Sequence, residues 1–213
     1  MPFSYPKVYP ILDSSMIPTI DRIEFLRKLA ASLTAAGVTL LEYRNKTGSD
    51  LELLADAAIL RASMPKEKVK LILDDRVDLV ERAKFDGVHV DAGDLTPAQA
   101  RRLLGPDSII GTFGGSDQLL PGILDAPADY LAIGPVFETR TKLTEKRAIG
   151  VDGVRRLREQ AGSTVVLSAA AGITLETAQS VLDAGATMVA VAEGIFRSPD
   201  PAHEFTRWMT TLR

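Results

Sequence analysis

The chain has 213 residues, 46% of them hydrophobic, so one large core can be buried without the help of a metal or a disulfide. Its 25 Lys and Arg are interspersed with 28 Asp and Glu, giving a formal charge of -3, which argues against a nucleic-acid-binding stripe or a polybasic membrane patch and leaves small polar or anionic partners. Cysteine is absent, which excludes disulfides, thiolate metal sites and thiol nucleophiles.

The first ten residues, MPFSYPKVYP, lack a basic region followed by an apolar core, so we expect no signal peptide. No apolar run further along the chain reaches the roughly 18 residues that a membrane-spanning helix needs. Both observations favour a cytoplasmic protein. The sequence does not decide whether the protein is a homo-oligomer.

Short β-branched runs alternate with amphipathic, Ala- and Leu-rich segments along the chain, which is typical of parallel βα units. Each run is continuously apolar, as expected for a strand that is buried on both faces of its sheet. The predicted strands are Val8–Leu12, Thr39–Arg44, Val69–Leu73, Gly87–Val90, Ser108–Thr112, Tyr130–Ile133, Thr164–Ser168 and Met188–Val191.

Eight such units average roughly 27 residues each, which is near the minimum for a closed (β/α)8 barrel. A doubly wound open sheet is the alternative, but that fold would place a G-x-G-x-x-G loop after the first strand, and the sequence has none there. The sequence therefore predicts a single-domain α/β protein, a (β/α)8 TIM barrel over residues 1–213. Its one irregular stretch is a long polar loop at residues 134–150.

In a parallel barrel the loops that follow the strands share one face, and the active sites of such barrels lie there. Asp75 and Asp94 follow neighbouring predicted strands and are candidate ligands for Mg²⁺, which prefers oxygen ligands and shares its shell with substrate phosphates. Arg44, Lys46 and Lys142 also follow strands and are placed to neutralise the remaining phosphate charge. The strand ends thus predict a magnesium and phosphate site.

These residues also have ordinary structural interpretations. Asp75 is equally well placed to cap a helix that begins directly after it. Asp94 is not needed as a cap, because residues 96–99 already form a capping box. Lys142 alone would be a solvated loop lysine, and it gains weight only from its neighbours.

Small residues after strands seven and eight indicate a second anion site. Ala171–Ile173 and Ala192–Ile195 each place a glycine where a helix begins, and barrels often hold a phosphate there through backbone N–H groups. Tight turns explain these glycines equally well. Histidine chemistry has little support, because His89 alternates with valines on a strand and is interpreted as structural, and His203 lies on the last helix at the surface.

Four segments carry motifs that a known family has in the same order. Val38–Lys46 ends like the family's Gln-x-Arg-x-Lys, Leu73–Asp78 is similar to its Asn-Asp-Arg-x-Asp, and Gly87–Leu95 resembles its Gly-Val-His segment with a closing Asp-Leu. Gly134–Lys142 matches Gly-Pro-x-Phe-x-Thr-x-Thr-Lys at every named position and is the most specific match. From Tyr9 to Phe196 the chain resembles thiamine phosphate synthase, in the superfamily that includes thiazole tautomerase.

The resemblance implies a magnesium-dependent transferase of thiamine biosynthesis. In that reaction a hydroxymethylpyrimidine diphosphate loses pyrophosphate, and the nitrogen of a thiazole phosphate captures the pyrimidine methylene cation to give thiamine phosphate. The matching positions imply these ligands: for Mg²⁺ Asp75 and Asp94, for the diphosphate the catalytic residues Arg44, Lys46 and Lys142, and for the thiazole phosphate Thr139, Thr141, Gly172 and the backbone near Ala192.

The chain departs from the family's pattern at substrate-facing positions. Glu42 replaces a Gln of the pyrimidine site, Asp74 an Asn, Asp91 and Ala92 a Gly-Gln pair, Phe113 a Ser after strand five, Ala171 a Gly, and Glu193 a phosphate-side Ser. Glu42, Asp74 and Glu193 add negative charge near bound anions, where repulsion would cost on the order of a few kcal/mol unless it is compensated. We expect an extra carboxylate to pair with Arg140, to take a proton or to bind a second cation, unless the substrate itself differs.

Two other functions fit parts of the pattern. The related thiazole tautomerase resembles this chain in its scaffold, but the resemblance implies a histidine after strand five, where the chain has Thr112–Gly115. A non-catalytic barrel that binds a thiamine precursor or phosphate would explain the altered pocket residues. In all three cases the expected partners are small-molecule heterocyclic phosphates.

Overall fold

The computed structural model describes residues 3–138 and 147–212. They form a closed barrel in which each parallel strand pairs with the next and the last pairs with the first. The predicted (β/α)8 barrel is confirmed, and the open-sheet alternative is wrong because the sheet closes. The strands are β1 (Val8–Asp13), β2 (Leu40–Arg44), β3 (Lys70–Asp74), β4 (Gly87–Val90), β5 (Ile109–Gly115), β6 (Tyr130–Ile133), β7 (Leu167–Ala170) and β8 (Met188–Val191).

Helices connect the strands around the outside of the barrel. They are α1 (Arg22–Ala35), α2 (Asp50–Ser63), α3 (Val80–Ala83), α4 (Pro97–Leu104), α5 (Gly150–Ala161), α6 (Leu175–Asp183), α7 (Glu193–Phe196) and α8 (Pro201–Thr211). Between β5 and β6 the described chain forms only a short 3-10 turn, Ile123–Asp125, since Pro121 and Pro127 interrupt any longer helix there. No helix within the described ranges is long and apolar enough to cross a membrane.

Two predicted strands are displaced by more than one residue. β7 runs over residues 167–170 rather than 164–168, because its hydrogen-bonded ladder with β6 and β8 continues into alanines that have little intrinsic strand preference. β5 extends to Gly115, so Phe113 lies in the strand and not after it.

Alternate residues of each strand face the inside of the barrel, and the other residues pack against the helices. On β2 the inward residues are Leu40, Glu42 and Arg44, in order from the amino to the carboxyl end. The same order of apolar and then polar residues recurs on other strands. The barrel interior is therefore apolar toward the amino ends of the strands and charged toward their carboxyl ends. The buried residues of the apolar layer are Tyr9, Leu40, Ile72, Ile109, Tyr130 and Met188.

β2 is also fixed from outside the barrel by a buried ion pair. Tyr43 faces the helices and donates a hydrogen bond of 2.5 Å to Asp56 of α2. Arg22 of α1 donates to the same carboxylate through Nε at 2.9 Å and Nη2 at 2.5 Å. Asp56 is only 2% exposed. This carboxylate therefore ties two helices to the strand that carries Glu42 and Arg44.

Asp56→Ala is expected to lower the free energy of unfolding by about 2–4 kcal/mol, because Arg22 and the Tyr43 hydroxyl would keep their partly buried positions without an acceptor. Urea denaturation measures this loss. The matched control is Asp152→Ala, which removes an ion pair of 2.6 Å with Arg155 on the exposed face of α5 and should change stability little. Equal losses in the two variants would contradict the role of Asp56.

Candidate active site

A cavity of about 820 Å³ lies at the carboxyl ends of the strands. All eight strands contribute to its lining, but the two sides differ in chemistry. On the side of β6 to β8 the inward residues are small, namely Ala132, Ser168, Ala170, Ala190 and Ala192. On the side of β1 to β4 they are ionisable, namely Asp13, Glu42, Arg44, Asp74, His89 and Asp91. The small side chains create the space, and the charged side gives the cavity its chemistry.

A chain of hydrogen bonds crosses the bottom of the cavity. The Tyr9 hydroxyl donates to Glu42 Oε2 at 2.7 Å and lies 3.0 Å from the Tyr130 hydroxyl, which in turn lies 3.1 Å from His89 Nδ1. Because Tyr9 donates its proton to Glu42, Tyr130 donates to Tyr9, and Nδ1 of His89 is then the donor to Tyr130. Gly111 makes room for this arrangement, since a Cβ there would lie 2.0 Å from the Tyr130 ring.

Glu42 and His89, an acid and a base, share this buried floor. Burial raises the pKa of Glu42 to about 7, against the opposing effect of the His89 charge and with a further rise from Asp74. Burial lowers the pKa of His89, but the Asp91 carboxylate, 3.8 Å from Nε2, and Glu42 outweigh burial and leave that pKa raised. Glu42 is therefore an acid that gains or loses its proton close to neutral pH.

The cations predicted to bind diphosphate are held by carboxylates. Arg44 Nη1 pairs with Asp13, and its Nε lies 3.4 Å from Asp74. Lys46 Nζ lies 2.9 Å from Asp74 and also pairs with Asp75. Burial raises the pKa of Asp74 and the Lys46 ammonium opposes the rise. The negative charge of Asp74 is thus compensated by Arg44 and Lys46.

Asp75 does not cap a helix, because the 3-10 turn that follows begins after Arg76 and Asp75 makes no capping bond. Its backbone is left-handed (φ 63°), and its Oδ1 is buried and accepts no hydrogen bond from the residues that the structure describes. Asp94 Oδ2 accepts the backbone N–H of Asp91 at 2.9 Å. Burial raises the pKa of Asp94, the N–H of Asp91 opposes this, and the nearby Asp75 carboxylate raises it further.

These two carboxylates fit Mg²⁺, which relieves repulsion between neighbouring acids and takes oxygen ligands. The buried, unpartnered Oδ1 of Asp75 is an oxygen suited to such a cation. Within residues 3–138 and 147–212 no group of three or more His, Cys, Asp and Glu could hold a metal. A cation at this place would therefore depend on water or substrate for most of its ligands.

The predicted second anion site is a pair of tight turns. Ala171 and Gly172 follow β7 with consecutive left-handed backbones, φ 74° and 68°. A Cβ on Gly172 would lie 2.5 Å from the carbonyl oxygen of Glu138, so a side chain there would clash. Ala192 is the N-cap of α7, and Glu193 pairs with Arg197 at 2.7 Å. The turns line the cavity, and the added charge of Glu193 is directed to an arginine.

Four predicted residues, Thr139, Arg140, Thr141 and Lys142, lie outside the described residues, so their roles stay predictions. Phe113 lines the cavity from β5. Several cavity residues were missed in the sequence, namely Tyr9, Asp13, Tyr130 and Arg207. The first three could have been found from strand periodicity, because each shares the inward face of its strand with other cavity residues.

The fold and the cavity together define a class: (β/α)8-barrel proteins with a paired cation and carboxylate cluster on one side and glycine-containing turns on the other. Such an arrangement suits a small ligand with negative charge at both ends.

Comparison with known proteins identifies the family within this class. The family model for "Thiamine monophosphate synthase" matches residues 8–195. A thiamine-phosphate synthase from Koribacter versatilis is 41% identical over 194 residues, 91% of this chain and 90% of the relative. One from Agrobacterium fabrum is 36% identical over 180 residues, 83% of this chain and 82% of the relative. The chain belongs to the thiamine monophosphate synthase family.

A solved structure agrees with this assignment. The thiamine phosphate pyrophosphorylase from Pyrococcus furiosus superposes with a TM-score of 0.76 and 25% sequence identity, over 96% of this chain and 93% of that one. The resemblance that was first seen in four short motifs therefore extends over the whole barrel.

Glu42→Gln is expected to make stability less dependent on pH. The folded chain holds the Glu42 proton more tightly than the unfolded chain, so this group stabilises the fold at low pH and loses that effect as the pH rises through about 7. The neutral variant should exceed the parent in unfolding free energy at pH 8, by up to about 3 kcal/mol, and match it near pH 4. Urea denaturation across this range measures the difference.

Glu159→Gln is the control, because Glu159 is exposed on α5. The same Glu42 variant should lower the pKa of His89, since Glu42 helps to raise it. Imidazole chemical shifts report this change cleanly, because the chain has two histidines and the other, His203, is exposed. Parallel stability profiles for parent and variant, with an unchanged His89 pKa, would rule out the coupling.

Proposed function

We propose that the protein is a thiamine-phosphate synthase that joins a hydroxymethylpyrimidine diphosphate to a thiazole phosphate, giving thiamine phosphate and pyrophosphate. The observation that carries this proposal is the two-sided cavity. Arg44 and Lys46 lie on one side, and the turns at Gly172 and Gly194 lie on the other, within one space of about 820 Å³. Two heterocycles can therefore meet in the middle while their anionic groups are held at opposite ends.

The reaction needs charge neutralisation more than proton transfer. The bond between the pyrimidine methylene carbon and the diphosphate oxygen breaks, and its electron pair leaves with the diphosphate. The lone pair of the thiazole nitrogen then forms the new carbon–nitrogen bond. Arg44 and Lys46 stabilise the departing negative charge, each using donors that its carboxylate partners leave unoccupied.

Glu42 is the residue that we assign to the pyrimidine. Its protonated form presents one donor and one acceptor, as a glutamine amide does, and burial brings its pKa to about 7, so a large fraction is protonated near neutral pH. The carboxyl group can then bind a heterocycle edge without a fixed buried charge. In this way an acid can take the place of the glutamine that the family motif has at this position.

We further propose that Asp75 and Asp94 hold Mg²⁺, with Lys142 beside the diphosphate and with Thr139 and Thr141 at the thiazole phosphate. Two oxygen ligands that repel one another support the metal proposal, and the family motif supports the other three residues. When bound, Mg²⁺ supplies positive charge to the diphosphate leaving group. Lys46 already bridges Asp74 and Asp75, so the cation would complete a partly neutralised cluster.

The direct test is product formation. Purified protein is incubated with both substrates and Mg²⁺, and thiamine phosphate is measured by mass spectrometry against a control without protein. Product above the control supports the transferase. Tight binding of either substrate with no product would favour the non-catalytic barrel, and aromatisation of a thiazole tautomer by the protein would favour the tautomerase.

Asp75→Asn and Asp94→Asn are each expected to lower kcat/KM by about 100-fold, because each removes charge that holds the cation at the leaving group. Rates are measured over a titration of Mg²⁺, and circular dichroism checks the fold. Asp107→Asn is the control, since Asp107 is exposed before the amino end of β5, away from the cavity. Unchanged activity and unchanged magnesium dependence in both site variants would contradict the metal assignment.

A further inference from the structure

The cavity continues between the first turns of α6 and α8, beside the turn after β8. Its lining there includes Thr174 and Glu176 from the start of α6, and Glu204, Arg207 and Trp208 from α8. Among the described residues that line the whole cavity, the lysines and arginines are Arg44, Lys46 and Arg207. The first two belong to β2 and the loop after it, whereas Arg207 lies on the side of the glycine turns.

Arg207 is held at this place by the packing of α8. The Trp208 ring lies against the turn after β8, since a Cβ on Gly194 would be 3.2 Å from that ring. The Trp208 indole N–H donates to Glu204 Oε1 at 3.0 Å, and Glu204 Oε2 lies 3.2 Å from Arg207 Nη1. Trp208 is only 1% exposed. The buried Trp208 ring against Gly194 and the mostly buried Glu204 carboxylate thus hold this part of α8 at the cavity that Arg207 lines.

The guanidinium itself keeps donors for a ligand. Its hydrogen bonds to Glu204 all use Nη1, so Nε and Nη2 have no acceptor among the described residues. The Arg207 side chain is 54% exposed, whereas its i,i+3 partner Glu204 is 15% exposed. The guanidinium can keep Nη1 on Glu204 and still bind two oxygens of one phosphate through Nε and Nη2.

The acidic residues on the α6 and α8 side of the cavity also require a nearby cation if a phosphate is to bind there. Glu176, Glu193 and Glu204 all line this part of the cavity, and each carries negative charge toward a place where a phosphate would sit. Glu193 is paired with Arg197, which leaves Glu176 and Glu204. Arg207 contacts Glu204 and is near enough to Glu176 to lower its pKa, after larger effects of the Glu176 backbone N–H and the Thr174 hydroxyl.

We propose that Arg207 recognises the phosphate group of the thiazole substrate, with Glu204 and Trp208 as positioning residues. This inference rests on the proposed function, and it adds to the two glycine turns a side-chain cation from the last helix. Backbone N–H groups at the turns would orient the phosphate, and the guanidinium would supply the positive charge that the neighbouring Glu176 and Glu204 make necessary.

Arg207→Gln is expected to raise the KM for the thiazole phosphate about tenfold, as loss of a charge-assisted hydrogen bond does at a half-exposed site. The KM for the pyrimidine diphosphate should not change. Arg207→Lys should reverse part of this rise in KM, because lysine keeps the positive charge but lacks the planar guanidinium that donates two parallel hydrogen bonds. A thiazole alcohol without phosphate should react equally with the parent and with Arg207→Gln.

Arg155→Gln is the matched control. Arg155 is 55% exposed and forms an i,i+3 pair with Asp152 on α5, so it has the exposure and pairing of Arg207 without lining the cavity. A KM for thiazole phosphate within about twofold of the parent in Arg207→Gln, or an equal rise in Arg155→Gln, would overturn the proposal.

Binding of the thiazole phosphate alone separates this inference from the proposed function. Isothermal titration calorimetry gives the dissociation constant, and the emission of Trp208, the single tryptophan, reports on the same turn. A weaker constant in Arg207→Gln alone supports the inference even if the parent makes no thiamine phosphate. No binding by the parent, or equal binding by parent and variant, overturns it even if the parent is an active synthase.

Discussion

The alternation of side chains in a closed parallel barrel is the constraint on which this site depends. Once Leu40 is fixed inside the barrel, Glu42 and Arg44 must also face inward, because strand residues change sides one by one. An acid is therefore placed directly between the apolar core and the Arg44 guanidinium that lines the cavity. Pairing of β1 with β2 sets Ile11 opposite Glu42, and Tyr9, two residues earlier on β1, reaches the Glu42 carboxylate with its hydroxyl.

The acidic residues at the site are accommodated by three different physical routes. Asp74 is neutralised by Arg44 and Lys46, and Glu193 is paired on its own helix with Arg197. Glu42 has no cation in direct contact among the described residues, and burial shifts it toward its protonated form instead. An acidic cavity can thus still accommodate anions, because much of its negative charge is neutralised by arginines and a lysine of the protein or by protonation.

The fold was predictable because the lengths and the spacing of the strands follow from short apolar runs in the sequence. The strand ends also place Arg44, Lys46, Asp75 and Asp94 at one face of the barrel, and their binding roles stay predictions. Contacts between distant strands were not predictable, since the hydroxyls of Tyr9 and Tyr130 meet across 121 residues of chain. Arg207 was not predictable for a similar reason, because the packing of α8 against Gly194 brings the last helix to the cavity.

The wall of alanines and one serine on β6, β7 and β8 limits how the cavity can change. Its side chains are already close to the smallest that a strand can carry, so substitution there can narrow the space but hardly enlarge it. Room for a bulkier heterocycle would have to come from the aromatic residues that also line the cavity, Tyr9, Tyr130 and Phe113. Tyr9 and Tyr130 belong to the hydrogen-bonded chain at the bottom of the cavity. A substitution that makes room there would therefore also change the hydrogen bonding of Glu42.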